Sequence, residues 1–152
     1  LGDVYKRQPY HMDITLAGEK AGSASAIKLV RSIFMKGIAS LMIEMLEGAH
    51  AYGVAEEVVN SLSKSLDGTP FVSHLNRLVT GTGVHAKRRG HELEGSIDLL
   101  KDAGVEPLMT VAAKASHEML VPFDFAEKFV DAAPTKWEQI VDPLLEEAKK
   151  RK

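Results

Sequence analysis

The chain has 152 residues, 45% of them hydrophobic and 26% charged, with a formal net charge of −2. That length fits one domain with a sizeable core, and the charge lacks the basic excess that a nucleic-acid or anionic-membrane partner favours. There is no cysteine, which excludes disulfides, thiolate catalysis and cysteine-ligated zinc and makes a reducing, cytoplasmic setting the expectation.

The opening "LGDVYKRQ" begins with Leu1 and has neither the apolar core of a signal peptide nor helical periodicity. It resembles the stray translated ends of sequences assembled from environmental DNA. Residues 1–10 are therefore set apart as a non-native or disordered lead. Residues 11–152 are read as one domain, the C-terminal part of a longer protein.

Ser23 or Ser25 can cap a helix that runs to about His50, with Gly53 as its stop. Apolar residues lie on nearly every side of it: Ile27, Leu29, Val30, Ile33, Phe34, Ile38, Leu41, Met42, Ile43, Met45 and Leu46. A helix apolar all round is expected to be buried, in a large core or against a second subunit. It does not read as a membrane span, because Lys28, Arg31, Lys36, Glu44 and Glu47 break every candidate stretch of about 18 to 20 residues.

The pattern then predicts a helix from Glu56 to about Leu66, closed by "DGTP", and a short one from Phe71 to Val79, ended by "TGTG" as a loop. A long charged helix follows from Val84 to Ala103, stopped by Gly104. Pro107 suits the first position of a helix to Leu120. "VPFDFAEKFVDAAP" holds another, and a last one starts at Lys136 and is interrupted at Asp142-Pro143. No segment alternates with period two. The predicted class is all-α, a helical bundle around the long buried helix.

Two stretches carry candidate chemistry. In "GSASAIKLVRSIFMKG", residues 22–37, Lys28, Ser32 and less closely Lys36 share one helix face. Lining a dry cleft, such a lysine can serve as an acid/base; on an open surface it lays its methylenes along apolar neighbours and keeps its ammonium in water. In "KRRGHELEG", residues 87–95, His91 and Glu92 stand beside Arg88 and Arg89. That stretch is either part of a site or a solvated face with local Arg–Glu pairs. It is not a zinc motif, since Glu94-Gly95 leaves no second histidine at the required spacing. The other histidines read as structural, and no metal site is expected.

"GSASAIK", with Ser32 four positions on, resembles the start of the helical C-terminal domain of the β-hydroxyacid dehydrogenases, the superfamily of 3-hydroxyisobutyrate and 6-phosphogluconate dehydrogenase. Its signature is Gly-x-Gly-x-x-x-Lys-x-x-x-Asn. Gly22 and Lys28 match it, while Ala24 stands for the second glycine and Ser32 for the asparagine. "SASAIK" followed by Lys36-Gly37 is similar to the subgroup of phosphogluconate-dehydrogenase-like proteins described with an NAD-binding C-terminal domain. The similarity runs from about Ile14 to Leu120.

The resemblance implies a fold like the 6-phosphogluconate dehydrogenase C-terminal domain. It also implies Lys28 as catalytic acid/base, with Gly22, Ser25, Ser32 and Lys36 around the substrate. His91 and Glu92, where relatives carry a Lys-Asp pair, would lie beside an NAD or NADP cofactor. The chain would then be the substrate-binding and dimerisation domain of an NAD(P)-dependent oxidoreductase acting on the hydroxyl of a small hydroxy acid, and a homodimer. No G-x-G-x-x-G follows a strand, so the Rossmann domain is expected to precede this chain, and the chain alone is expected to be inactive. The alternative is a non-catalytic helical binding or assembly module that uses the apolar helix as its interface.

Overall fold

The structure, a computed structural model, describes residues 22–151. The expected lead at residues 1–10 and the start of the family resemblance at Ile14 lie outside the described residues. Those described are helical, without a strand, as expected. The elements are α1 (Ser23–Ala51), α2 (Ala55–Leu66), α3 (Phe71–Val84), α4 (Ala86–Asp102), α5 (Leu108–Glu118), a 3₁₀ turn (Val121–Phe123), α6 (Phe125–Lys128) and α7 (Glu138–Lys150). None of these helices is long and apolar enough to cross a membrane.

The chain divides within α1, after Ala39. In the first unit Gly22, at φ +90°, turns into the helix, and its carbonyl accepts the Ala26 N–H at 2.9 Å. The apolar side chains that follow are open: Ile27, Leu29, Val30, Ile33 and Phe34 are all exposed, Ile33 by 73%. Over its whole length α1 buries only Glu44, Gly48 and Ala49. The burial expected of the entire helix is thus not supplied by the described residues. A helix apolar on all sides needs cover on all sides, and residues 40–51 pack along one side only.

In the second unit α4 and α5 make the most extensive helix contact. Gly104 joins them at φ +74°, a left-handed conformation that costs glycine nothing, and the Val105 N–H closes the turn on the Leu100 carbonyl at 2.9 Å. Ile97 and Leu100 of α4 are buried with Ala86, Phe125 and Ile140. The end of α1 docks here: the Tyr52 hydroxyl donates to the Leu99 carbonyl at 3.1 Å. α2 is amphipathic, with Val58, Val59, Leu62 and Leu66 along one side, yet it buries no residue.

The expected loop at "TGTG" is helix. α3 runs through it to Val84, so the glycines are not stop signals. They are there for close approach. A Cβ on Gly83 would stand 2.6 Å from Ile140 Cδ1, and one on Gly81 would stand 2.9 Å from Arg89 Nη2. Glycine inside a helix costs roughly 1 kcal/mol against alanine, so Gly83→Ala would stabilise α3 if the space were open. Ile140 is only 2% exposed and has little room to give. We expect Gly83→Ala to lower stability by about 1–3 kcal/mol, read by urea unfolding; a gain would contradict this packing.

α7 is another departure from expectation, because it continues past Pro143 to Lys150 without the predicted interruption. The proline removes one N–H from the helix ladder and crowds the carbonyl four residues back. The start of the helix is anchored well enough to carry this. Gln139 Oε1 accepts the Thr135 and Lys136 N–H groups, the Trp137 N–H donates to Asn76 Oδ1 at 3.0 Å, and Ile140 is buried. "VPFDFAEKF" forms two single turns rather than one helix. They meet at Asp124, φ 49°, a left-handed position that aspartate tolerates better than most residues. Phe125 fills the core there, stacked by Phe123 and Phe129 with ring centroids at 5.6 and 6.2 Å.

Candidate functional site

Lys28, Ser32 and Lys36 recur at four-residue intervals in α1 and so share one face, with Ser25 a turn before Lys28. Gly22 lies at the turn that opens the helix. Lys28, Lys36, Gly22 and Ser25 are exposed, and Ser32 is half-buried. The dry cleft in which Lys28 would work is not formed by the described residues. The Lys28 side chain is exposed to water.

His91 and Glu92 lie on the outer side of α4 and have different partners. Glu92 pairs with Arg88 one turn back, both side chains being exposed. His91 Nδ1 meets Glu94 Oε2 at 3.0 Å. Lys114 of α5 approaches Glu94 Oε1 at 3.4 Å and also pairs with Glu118. The hydrogen bond from His91, then that from Lys114, hold the Glu94 carboxyl below its ordinary range. Glu118, then Glu94, raise the Lys114 ammonium above its own. Local pairing is therefore what this face shows. Exposed pairs of this kind contribute little to stability, so a ligand can displace them cheaply. Arg89 turns the other way: Nη1 donates to Thr82 Oγ1 at 2.8 Å while the guanidinium covers Gly81. It braces α3 against α4, while Arg88 is paired with Glu92.

Sequence reasoning used Glu44 only as a charge that breaks a membrane span. In the structure it is the one carboxylate among the buried polar side chains of the described residues, 5% exposed. Its Oε2 accepts the Met109 N–H at 2.6 Å, and its Oε1 accepts the Thr110 N–H at 2.8 Å and the Thr110 hydroxyl at 2.6 Å. Burial pushes this carboxyl up; the Thr110 hydroxyl and the two backbone donors outweigh it and hold the group below its ordinary range. The carboxylate thus caps the start of α5 from another helix, where its negative charge also suits the helix dipole. Pro107, the local cap position, makes no side-chain cap bond. A helix start with no local cap, together with a carboxylate inside an apolar run, was the available signal.

Residues 49–120 match a family model described as a domain of unknown function (DUF1932), a helical domain associated with dehydrogenase-like proteins. Lys28 precedes the matched residues. The chain is also similar to an "uncharacterized 28.5 kDa protein in 7S RNA 5′ region" of Methanothermus fervidus. The two are 26% identical over 107 residues, covering 70% of this chain and 42% of that protein. The chain therefore spans about two-fifths of that relative's length. No solved structure matches it.

Proposed function

We propose that this chain is the substrate-binding and dimerisation domain of an NAD(P)-dependent oxidoreductase acting on the hydroxyl of a small hydroxy acid. The observation that carries the reading is the match of residues 49–120 to a helical domain associated with dehydrogenase-like proteins. The shared face of Lys28, Ser32 and Lys36 supports the placing of the chemistry.

Oxidising the alcohol would pass the carbinol hydride to bound NAD+ or NADP+ and release the hydroxyl proton, so a base must stand at that oxygen. Lys28 Nζ, in its neutral form, takes the proton and returns it when the reaction runs as a reduction. Ser32, one turn on, donates a hydrogen bond to a substrate oxygen, with a shorter reach than the family's asparagine. The Lys36 ammonium attracts the carboxylate of the acid, and Gly22 with Ser25 forms the small-residue wall that lets substrate come close. The exposure of Lys28 on this chain means that a second domain must close over it and exclude water before it can act.

The described residues do not fit a complete dinucleotide cradle. That site needs a strand, a glycine turn and a helix, and the described residues contain no strand. NAD or NADP would be held chiefly by another domain, with His91 and Glu92 at its edge. The part assigned to this chain is acid–base work and substrate contact.

A second reading, a helical assembly module without chemistry, draws on the exposure of Ile27, Val30, Ile33 and Phe34. One experiment separates the two. The protein encoded together with its upstream sequence is incubated with a panel of small hydroxy acids and either cofactor, beside this chain alone. The expected result is cofactor reduction by the longer protein and none by this chain. Turnover by this chain alone, or none by the longer protein with any acid, would contradict the proposal.

A further inference from the structure

The end of α1 meets the rest of its unit along a line of residues spaced four apart. Glu44 accepts three hydrogen bonds from Met109 and Thr110 at the start of α5. Gly48 lies so close to α4 that a Cβ on it would stand 2.5 Å from Leu100 Cδ2. The Tyr52 hydroxyl donates to the Leu99 carbonyl at 3.1 Å. Little apolar burial accompanies this line: α1 buries only Glu44, Gly48 and Ala49, and α2 buries no residue. Beside it lies a hollow of about 370 Å³ between Met45, Val58, Leu99 and Leu100. A second, of about 320 Å³, separates Met42 and Leu46 of α1 from Val59, Leu62 and Leu66 of α2. Side chains that face unfilled space forfeit dispersion contacts. Among the described residues the extensive helix contacts all lie within α3 to α7, where Ile97, Leu100, Phe125 and Ile140 are buried.

We propose that residues 40–66 form an arm that opens from the α3–α7 body as one piece, without unfolding it, and that Glu44 and Tyr52 are its latch. Segments with few buried apolar contacts open at the lowest free energy. The interactions lost here are mainly hydrogen bonds on one line, so breaking that line frees the arm. Its own turn is closed within itself, since the Val54 N–H donates to the Ala49 carbonyl at 2.9 Å, and the two helices leave together. The far end stays tied: His74 Nε2 donates to the Leu66 carbonyl at 2.8 Å, just before the turn at Gly68, φ +76°. That turn is the pivot. Opening uncovers Met45, Leu99 and Leu100. The arm does not rest on the dehydrogenase reading, since a helical module without chemistry would keep it.

The test is native-state amide hydrogen exchange of this chain, followed by NMR. The amides of Leu46, Leu62 and Leu66 report the arm, and those of Ile97 and Leu100 report the body. The expected result is protection at least about tenfold lower in the arm than in the body. The Met109 and Thr110 amides sit on the body but are bonded to Glu44, so they should exchange with the arm. Tyr52→Phe keeps the ring and removes the bond to Leu99; it should lower arm protection by about two- to tenfold and leave Ile97 and Leu100 unchanged. Glu44→Gln should lower arm protection by about tenfold or more. Ile140→Val should do the reverse, lowering protection in the body by severalfold and not in the arm. Equal protection in arm and body, or an equal loss in both with Tyr52→Phe, would overturn the proposal. Protection lost in α2 while Leu46, Met109 and Thr110 keep theirs would also overturn it, because α2 would then leave alone. Should Glu44→Gln fail to fold, Tyr52→Phe decides the matter by itself, since Tyr52 is 48% exposed and the change is small.

Discussion

Glu44→Ala is expected to lower the stability of this chain by about 3 kcal/mol, read by urea unfolding. The substitution removes an ionised acceptor of three hydrogen bonds and leaves buried donors at the start of α5 without a partner. Hydrogen bonds to charged groups are worth about 1.5–3 kcal/mol each, and leaving a buried donor unpaired costs about 1–3 kcal/mol. No local side chain replaces the lost cap. Glu44→Gln, which keeps the shape and one acceptor oxygen, should cost less than Glu44→Ala.

The same residue gives the protein an acid-sensitive joint. The folded carboxyl is held below its ordinary range, while the unfolded one titrates at about 4.3. Its contribution is fully present above the unfolded value and is lost as pH falls through the lower folded value. The gap between wild type and Glu44→Gln should therefore be widest near neutrality and should narrow below about pH 4. A constant gap across that range would show that Glu44 acts by packing, not by charge.

Under the proposed function, Lys28→Met is expected to cut turnover of the protein encoded together with its upstream sequence by about 10²- to 10⁴-fold, the usual share of a general acid/base. Methionine keeps the unbranched apolar stem and removes the amine, so substrate affinity should change less than kcat. On this chain Lys28 is exposed, and the substitution should leave its folding unaffected. A large loss of stability would mean that the lysine serves structure.

The helix pattern was legible wherever the deciding interaction was local. Gly53 and Gly104 end α1 and α4 in the left-handed conformation at φ +69° and +74°, as a residue-by-residue reading expects of glycine after a helix. That rule misled at "TGTG", because the reason for Gly83 is Ile140, distant in sequence. Pro143 misled in the same way: its local tendency is to break a helix, and contacts of Ile140 and Trp137 with distant parts of the chain hold α7 together.

The long helix divides the problem differently. Its apolar surface was visible in the sequence, but periodicity states that a face needs cover and not what covers it. In residues 40–51 only Glu44, Gly48 and Ala49 are buried, and Leu41, Met42 and Ile43 are exposed, as Ile27, Val30 and Ile33 are. The lysine face was legible through spacing and through the family resemblance together. The pairing of Arg88 with Glu92 was legible as a local Arg–Glu pair, while that of His91 with Glu94 was not read. Glu44 was not, since nothing within four residues of it marks its partner on α5.

The most direct measurement compares hydroxy-acid oxidation by the longer protein carrying Lys28 with oxidation by its Lys28→Met variant, in the presence of NAD+ or NADP+. The account predicts cofactor-dependent turnover in the first and a loss of at least about 10²-fold in kcat in the second. Equal rates for the two proteins would contradict it.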